Sequence, residues 1–448
     1  MVHVQGLFLI CTLSASAEAA PERASEAVDA SARELFGRLA AEPHRRLPQA
    51  PAGPVGPSGP DLLELHRYGD LAVMVDPDGA WLGEALAHAA QGDVNWVLGS
   101  VADRFYEDFE DDYEYLQVLM LRDLGVFFAF YQPMANDIRG IGYDSVTPSE
   151  RFDLSRDTRI EGYIFMNYVG YWQENPASGR YVFNQELGHR WGSFINIDHE
   201  EIGNKELLGR DDAHWSFWYH TPNSPMEGNT WVDQGDGTWR TDHQASSTYS
   251  DLDLYLMGLI GPEEVDTQTL LQPVGAAADM DPGTTPIYFA CVESGRGCRD
   301  LSTEAVAVEF SVDDVIAAEG ERSPTADESP RRFRMATVVL VLLGDELTPE
   351  VLDGVNDVRR QFEKDWEEDV GGRADLDTSL GASTAPELFD YVEEDTGISQ
   401  QISGGGYGGG AACGGDRAWL PGLVLAAFVW RRRPASRRRR REARDGAT

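Results

Sequence analysis

The stretch that decides the fold is Phe183-Asn184-Gln185-Glu186-Leu187-Gly188-His189-Arg190-Trp191. Residues four apart on a helix lie on one face, about 6 Å from each other. As a helix, the stretch therefore directs Gln185 and His189 to a common point and turns Glu186 roughly 100° away from Gln185. Gly188 has no side chain, so another segment or a substrate can pass close to this turn. The pattern predicts a helix that presents polar groups to a shared centre.

Gln185 is the feature that separates this stretch from the zinc-binding helix H-E-x-x-H. In that helix two histidines one turn apart bind the metal, and the glutamate activates water. Glu186 and His189 stand at the matching positions, whereas Gln185 replaces the first histidine. Zinc is normally bound by imidazole, thiolate or carboxylate, and a glutamine offers only a neutral amide oxygen. The sequence predicts Glu186 as the catalytic base, His189 as a metal ligand and Gln185 as a weak one; the alternative is a chance match in an ordinary helix.

Three downstream segments extend the match: Leu208-Gly209-Arg210-Asp211-Asp212-Ala213-His214-Trp215-Ser216, Ser224-Pro225-Met226-Glu227-Gly228-Asn229 and Tyr249-Ser250-Asp251-Leu252-Asp253-Leu254-Tyr255-Leu256-Met257-Gly258-Leu259. With the first stretch they resemble a group of secreted, zincin-like bacterial proteins, in which an H-E-L-G-H-R-W helix precedes H-W-S, S-x-M-x-G-N and D-L-Y-L-M-G segments. The resemblance spans roughly residues 105 to 380. It implies a metallopeptidase-type domain with zinc as cofactor, and hence a protein or peptide substrate.

The third metal ligand has to come from downstream of the helix. The longer pattern H-E-x-x-H-x-x-G-x-x-H is matched at Gly192, but Ile195 occupies its last histidine position. His214 is the first choice, because acidic residues before it could orient its imidazole. Asp253 is the second choice and Asp251 the third. The alternatives are a packed, hydrogen-bonded histidine at 214 and a D-x-D pair that only caps a helix.

Composition limits the classes of function. The chain has 448 residues, a formal net charge of −39 and 42% hydrophobic residues, with eleven tryptophans. This length allows one large or two medium domains, and the apolar content is ample for a packed core. A body this acidic repels the phosphate backbone, so no nucleic-acid partner is expected.

The order of the periodic segments predicts an α+β domain over residues 61–380, in which a sheet packs against the active-site helix. Apolar runs predict strands at 71–75, 116–121, 126–131, 163–171 and 338–343, and Asp236-Gly237 predicts a hairpin within 229–242. Helices are predicted at 82–88 and 252–259. Thr348-Pro349 predicts the start of another, with apolar residues from Val351 to Trp366 at helical spacing.

Two further clusters suggest binding or covalent chemistry. Six carboxylates alternate with aromatic residues between 105 and 115; they could bind calcium, or simply form a solvated face. Cys291 and Cys298 bracket a loop short enough to close as a disulfide in an oxidising compartment.

Both ends of the chain suggest export. Residues 1–20 combine an apolar run with small residues suited to signal-peptidase cleavage, and the alternative is a short buried helix. Residues 21–60 begin as an Ala/Glu-rich helical segment and end in a proline-rich one, so as a whole they are expected to form a disordered leader or linker.

The C-terminal end begins with a glycine-rich linker, residues 381–415, and continues with a tag, residues 416–448. Cys413, the apolar run 418–430 and eight arginines between 431 and 441 resemble the C-terminal sorting tags of bacterial surface proteins, the myxobacterial type in particular. The resemblance implies that the arginines halt export at the membrane and that a processing protease cuts near Cys413. It thus implies a cell-surface or released protein; an ordinary tail anchor is the alternative.

Two functions remain open on these observations. One is an exported zinc peptidase in which Glu186 moves protons. The other is a protein of the same fold that has lost catalysis through Gln185 and serves as a surface binding or scaffold protein.

Overall fold

Strands from both ends of the described chain meet in one sheet, and that sheet positions the predicted helix. The structure is a computed structural model that describes residues 19–40, 59–91, 93–125, 129–143, 158–294 and 298–389. All of these residues belong to one compact unit.

The strands and helices are numbered in chain order. The strands are β1 (Glu64–Tyr68), β2 (Leu71–Val75), β3 (Tyr115–Met120), β4 (Phe130–Pro133), β5 (Gly162–Tyr168), β6 (Trp215–His220), β7 (Glu227–Asn229), β8 (Trp231–Asp233), β9 (Thr238–Thr241), β10 (Gln268–Pro273), β11 (Ser302–Phe310), β12 (Arg332–Val341) and β13 (Asp375–Asp377). The α-helices are α1 (Ala19–Ala40), α2 (Ala80–Ala90), α3 (Val94–Asp108), α4 (Val169–Glu174), α5 (Pro176–Gly188), α6 (Asp251–Met257), α7 (Ile287–Ser294), α8 (Val312–Glu319) and α9 (Pro349–Asp369). The predicted α+β class is confirmed.

A seven-stranded sheet has the order β1-β2-β12-β3-β5-β4, with β13 paired to β12 outside this path. The strands β2, β12, β3 and β5 run parallel, and β1 and β4 are antiparallel to their neighbours. Val339 of β12 lies opposite Val73 on one side and Leu119 on the other. All six residues of β3 are buried. A parallel sheet covered on both faces requires such continuous apolar runs, which is why β2, β3 and β12 were readable from the sequence.

Helices cover both faces of this sheet. Alternate residues of β3 point to opposite faces: Leu119 belongs to the core that includes α4, α5 and α9, and Val118 to the core that includes α1, α2 and α3. Helix α9 begins as predicted, with the Thr348 hydroxyl accepting from the N–H of Val351 at 3.3 Å. The predicted active-site helix α5 therefore lies between the sheet and other elements.

Helix α1 corrects one expectation. Residues 21–60 were expected to be a disordered leader or linker, but residues 19–40 form a helix that packs on α2. Leu35 and Phe36 are fully buried in the core on the sheet face opposite to α5. Asp29 also pairs with Arg122 at 2.5 Å. This helix is thus part of the folded unit rather than a loose leader.

A second, six-stranded sheet has the order β7-β6-β10-β11-β9-β8. The predicted hairpin is present as the antiparallel pair β8 and β9. In the pairing of β6 with β7, Trp215 is the partner of Glu227. This register brings the residue before β6, His214, and the first residue of β7 to the same end of the sheet.

The acidic segment between 105 and 115 differs from the predicted loop, because α3 extends through Asp108. Its carboxylates face arginines. Arg104 pairs with Asp108 at 2.8 Å, and Arg159 pairs with Glu114 at 2.7 Å. Arg334 also pairs with Asp112. Three local arginines therefore pair with carboxylates of the cluster that suggested calcium.

The predicted signal peptide, most of the proline-rich segment and the C-terminal tag with Cys413 lie outside the described residues. Within the described ranges, no helix combines the length and apolar character needed to cross a membrane.

Candidate metal centre

Helix α5 carries the predicted site residues. It starts where the Asn175 side chain accepts from the N–H of Ser178 at 3.3 Å and Pro176 takes the first position. It ends at Gly188, so His189 is its C-terminal cap residue and still has helical φ and ψ angles. Ten of its thirteen residues are buried. A helix buried on nearly all sides cannot turn about its axis, which fixes the direction of Gln185, Glu186 and His189.

Polar contacts lock α5 against its neighbours. Asn184 donates to Asp369 of α9 at 2.5 Å, and Arg180 pairs with the same carboxylate. Tyr249 donates from its hydroxyl to the carbonyl of Asn184 at 2.5 Å. Just beyond the helix, buried Arg190 pairs with Glu161 at 2.7 Å. The motif helix is therefore held at both ends by charged or polar groups from distant parts of the chain.

Gly188 faces Met226, from the segment that leads into β7. A Cβ atom at position 188 would collide with the Met226 sulfur and lie 3.3 Å from the ring of Tyr249. The close approach expected at this glycine is therefore made by another part of the chain. It brings the segment that contains Glu227 next to the turn that contains His189.

The imidazoles of His189 and His214 meet with their ring planes at 89° and their Nε2 atoms 3.2 Å apart. Both rings are almost fully buried. The Nδ1 atom of His189 lies 3.1 Å from the carbonyl oxygen of Gly192, and that of His214 lies 2.9 Å from the carbonyl oxygen of Arg210. A carbonyl only accepts, so a neutral tautomer with its proton on Nδ1 satisfies both carbonyl contacts and leaves Nε2 as the acceptor in each ring.

Two lone pairs facing each other at 3.2 Å repel unless a proton or a cation is shared between them. Two nitrogens bound to one tetrahedral zinc at about 2.0–2.1 Å lie about 3.3 Å apart. The Nε2 separation is therefore compatible with two ligands of one zinc ion as well as with a hydrogen bond between the rings, and the carbonyl partners of both Nδ1 atoms are supports that metal-binding histidines commonly have.

Glu227 is the carboxylate nearest to this pair. Its Oε1 lies 3.8 Å from the Nε2 of His214, and its side chain is almost fully buried. The residue has a φ of +79° and precedes Gly228 at +78°. Burial raises the pKa of Glu227, and the charge of Arg210 opposes that rise. The strained backbone and the buried charge are features typical of a functional position.

Arg210 supplies the positive charge at this point. Its Nη2 lies 2.5 Å from the Oε1 of Glu227 and 3.0 Å from the Nε2 of His214. A guanidinium is always charged and only donates. Arg210 therefore bridges Glu227 and His214. Together with His189, these two residues are a set of two histidines and one carboxylate.

Gln185 turns its amide nitrogen toward the same carboxylate. The nitrogen donates to the carbonyl of Pro225 at 3.0 Å and lies 3.4 Å from the Oε1 of Glu227. Position 185 thus points to the centre, as its helical spacing predicted, but it contributes an N–H donor. The predicted weak ligand is used in this structure to hold Glu227.

Glu186 is buried, and its Oε2 has no hydrogen-bond partner within the described chain. Burial raises the pKa of Glu186 to about 8, while the charge of Arg210 and a backbone hydrogen bond from Tyr131 act in the opposite direction. A carboxyl that titrates close to neutral pH suits a group that accepts and returns protons.

Asp253, the second choice for the third ligand, has a different role. It accepts from the indole of Trp215 and from the hydroxyls of Ser224 and Ser250, each at 2.7 Å. Ser250 and Asp253 together form the capping box of α6. These contacts use both carboxylate oxygens to support α6 and the start of β6. The capping alternative therefore describes Asp253, and Asp251 lies in the first turn of the same helix.

Cys291 and Cys298 are joined as a disulfide, with their Cα atoms 5.3 Å apart. Cys291 lies within α7 and Cys298 lies after it, and Phe289 of α7 stacks on Tyr181 of α5 with ring centres 4.8 Å apart. The pair thus fastens a helix that packs on the predicted active-site helix.

Within the described ranges, no group of three or more His, Cys, Asp or Glu side chains is arranged to hold a metal ion. The structure brings His189 and His214 together, and the third side chain, Glu227, is engaged by Arg210. The sequence analysis predicted neither Glu227 nor Arg210 as a site residue. The available signals were their places in the S-P-M-E-G-N and L-G-R-D-D-A-H-W segments.

Comparison of the chain with protein-family models, with curated proteins and with solved structures found no match.

Proposed function

We propose that this protein is an exported, metallopeptidase-like hydrolase whose centre binds zinc through His189, His214 and Glu227. The single observation that carries the proposal is the 3.2 Å separation of the two Nε2 atoms, with both Nδ1 atoms directed at carbonyl oxygens. Two imidazoles and one carboxylate are a ligand set found in catalytic zinc sites. The similarity of the segments around these residues to zincin-like secreted proteins adds to this support.

The residues of the chain have separable roles in this proposal. When bound, zinc supplies Lewis-acid activation of a peptide carbonyl. The carbonyls of Gly192 and Arg210 keep both imidazoles in the tautomer that presents Nε2. Glu186 takes a proton from the attacking water at its Oε2 and later returns it to the departing amine. Its pKa, raised to about 8, lies close enough to neutral pH for the carboxyl to exchange a proton in both directions.

We propose that the protein is located outside the cytoplasm, at the cell surface or released from it. The apolar N-terminal run and the C-terminal cysteine and arginine tag support export and processing by a sorting protease. The disulfide between Cys291 and Cys298 fits an oxidising compartment.

A second candidate function rests on Arg210 and Gln185. Both direct N–H donors at Glu227, so the carboxylate is satisfied without a metal. In this alternative the protein is a catalytically impaired member of the same fold that binds peptides or other surface proteins without cleaving them.

Metal binding and cleavage separate the two functions. The purified protein is stripped with a chelator, reloaded with zinc and analysed for bound metal and for casein cleavage. We expect stoichiometric zinc, and its loss in His189→Ala and His214→Ala. His243→Ala is the matched control, because that histidine pairs with Asp300 at 2.8 Å in another part of the fold.

Glu186→Gln is expected to retain zinc and to lower cleavage by a factor of about 10²–10⁴, the usual contribution of a general base. Gln185→His is expected to bind zinc about 10- to 100-fold more tightly, the range by which metal affinity responds to changes around a site. If the wild type binds no zinc and cleaves nothing while its fold is intact, the second candidate function is the correct one.

A further inference from the structure

Arg210 contacts the imidazole of His214 at both of its nitrogens. The Arg210 carbonyl lies 2.9 Å from Nδ1, and the Arg210 guanidinium lies 3.0 Å from Nε2. The same guanidinium nitrogen is 2.5 Å from Glu227. Arg210 thus orients the His214 ring through its backbone carbonyl. Through its side chain it also occupies the Nε2 lone pair of the same ring.

The turn that carries Arg210 is built tightly. Asp211 and Asp212 have φ angles of +61° and +55°, a backbone conformation that is uncommon for residues with side chains. Before them, a Cβ atom at Gly209 would lie 2.7 Å from the carbonyl oxygen of Trp215. This position therefore requires glycine. The turn places Arg210 beside His214 by backbone geometry, and the guanidinium contact does not depend on a flexible loop.

The three partners differ in how they reach solvent. The side chains of Glu227 and His214 are 5% and 2% exposed, whereas that of Arg210 is 48% exposed. The carboxylate and the imidazole are therefore fixed in the interior. The arginine side chain is partly open to solvent, which gives its guanidinium a way out of the centre.

We propose that Arg210 is a built-in cation that competes with the metal: its guanidinium holds Glu227 and the Nε2 of His214 in the metal-free protein and moves to solvent when zinc binds. This inference rests on the proposed function, because it assigns the regulation of the same centre. The Nε2 of a neutral imidazole has a single lone pair, so the guanidinium of Arg210 and a metal ion cannot both use the Nε2 of His214.

The structure gives a reason why Arg210 would compete with zinc at this centre. A buried carboxylate without a partner strongly destabilises a fold, and Arg210 supplies that partner while no metal is present. The protein can therefore fold before it acquires zinc. The consequence is a weaker apparent affinity for zinc, because each binding event has to displace the guanidinium.

The test compares Arg210→Gln with Arg240→Gln. Arg240 is a matched control: its side chain is 47% exposed, and it pairs with the 14%-exposed Asp300 at 3.0 Å. For the full chain and each variant, zinc affinity is measured by competition with a chelating dye, and the melting temperature is measured in EDTA and with excess zinc. Arg210→Gln is expected to bind zinc at least about tenfold more tightly than wild type. Arg240→Gln should stay within about twofold of wild type, as expected for a surface pair remote from the centre.

The melting temperatures give a reading that does not involve activity. In EDTA, Arg210→Gln should melt below wild type, because Glu227 loses its partner. Zinc should raise its melting temperature by more than it raises that of wild type. If Arg210→Gln folds only with zinc, this also supports the competition.

Each other outcome has a defined meaning. If wild type binds zinc and folded Arg210→Gln binds it no more tightly, the competition is wrong and the proposed function stands. If wild type and Arg210→Gln both fold and bind no zinc, the proposed function fails and the competition with it. Should Arg210→Gln fold under neither condition, Arg210→Lys decides. Lysine keeps the charge but lacks the planar fork, so tighter zinc binding supports the competition and unchanged binding overturns it.

Discussion

The sulfur of Met226 occupies the space in which a Cβ atom of residue 188 would lie, so Gly188 and Met226 are in direct contact. This contact joins the end of α5 to the segment that carries Glu227. Together with the pairing of β6 and β7, it explains how three distant segments of the chain arrive at one centre.

Gly188→Ala is expected to lower the free energy of unfolding by about 1–3 kcal/mol, the usual effect of forcing an extra carbon into a packed core. Urea denaturation measures this change. Gly83→Ala is the control, because a Cβ atom at that exposed helical position meets no atom within 4 Å. There, alanine should be neutral or stabilising. Equal stability of Gly188→Ala and wild type would contradict the packing described for α5.

Asp369→Ala is expected to lower the free energy of unfolding by about 2–3 kcal/mol. It removes the carboxylate that holds Arg180 and Asn184, and the part-exposed Arg180 can recover some solvation. Asp357→Ala on the same helix removes a solvent-exposed pair with Arg360 and should change stability by less than about 0.5 kcal/mol. Chemical denaturation of the two variants measures the difference. Similar effects at both positions would mean that Asp369 does not anchor α5.

Phe36→Ala tests whether α1 belongs to the folded unit. Phe36 is fully buried, and truncating a buried phenylalanine usually destabilises a protein by about 3–5 kcal/mol. Arg38→Ala, two residues away on the exposed face, should change stability by less than about 0.5 kcal/mol. Thermal melts of both variants provide the comparison. An unchanged melting temperature for Phe36→Ala would restore the view of this segment as a leader.

Acid should destabilise the fold in part through His220. Burial lowers the pKa of His220 below its usual 6.5, and its Nδ1 accepts from the N–H of Trp231 at 3.0 Å. The unfolded chain therefore binds a proton more readily than the native one, and this contribution to stability is lost as pH falls below about 6.5. His220→Asn keeps an acceptor and does not titrate. The stability of wild type relative to this variant should decline from pH 7 to pH 5; a constant difference would exclude the effect.

The elements predicted correctly are those whose signals are local. Helix α9 has its cap, its proline and its apolar spacing within one segment, and β2, β3 and β12 are continuous apolar runs. Helix α1 also carried a signal, because Ala32, Leu35, Phe36 and Leu39 follow helical spacing. The proline-rich residues that come after it favoured a disordered segment. Its burial depends on α2, which no local pattern shows.

The centre was predictable only in part for the same reason. His189 and His214 were found because their motifs mark them individually. Glu227 and Arg210 act through a contact between two separate turns, and both turns rely on left-handed residues. Asp253 has a carboxylate in a motif, but two of its three side-chain donors, Trp215 and Ser224, lie far from it in sequence. Residue type alone therefore could not show whether Asp253 binds a metal or caps a helix.

The position of β12 limits the order in which the chain can fold. This strand, residues 332–341, lies between β2 and β3, which end at residues 75 and 120. Until it arrives, the two N-terminal strands lack the neighbour that joins them, and the helices on either face have only part of a sheet to cover. During synthesis the central sheet therefore stays incomplete until residues 332–341 have emerged. A chain built this way completes its core late, after most of its residues have already been made.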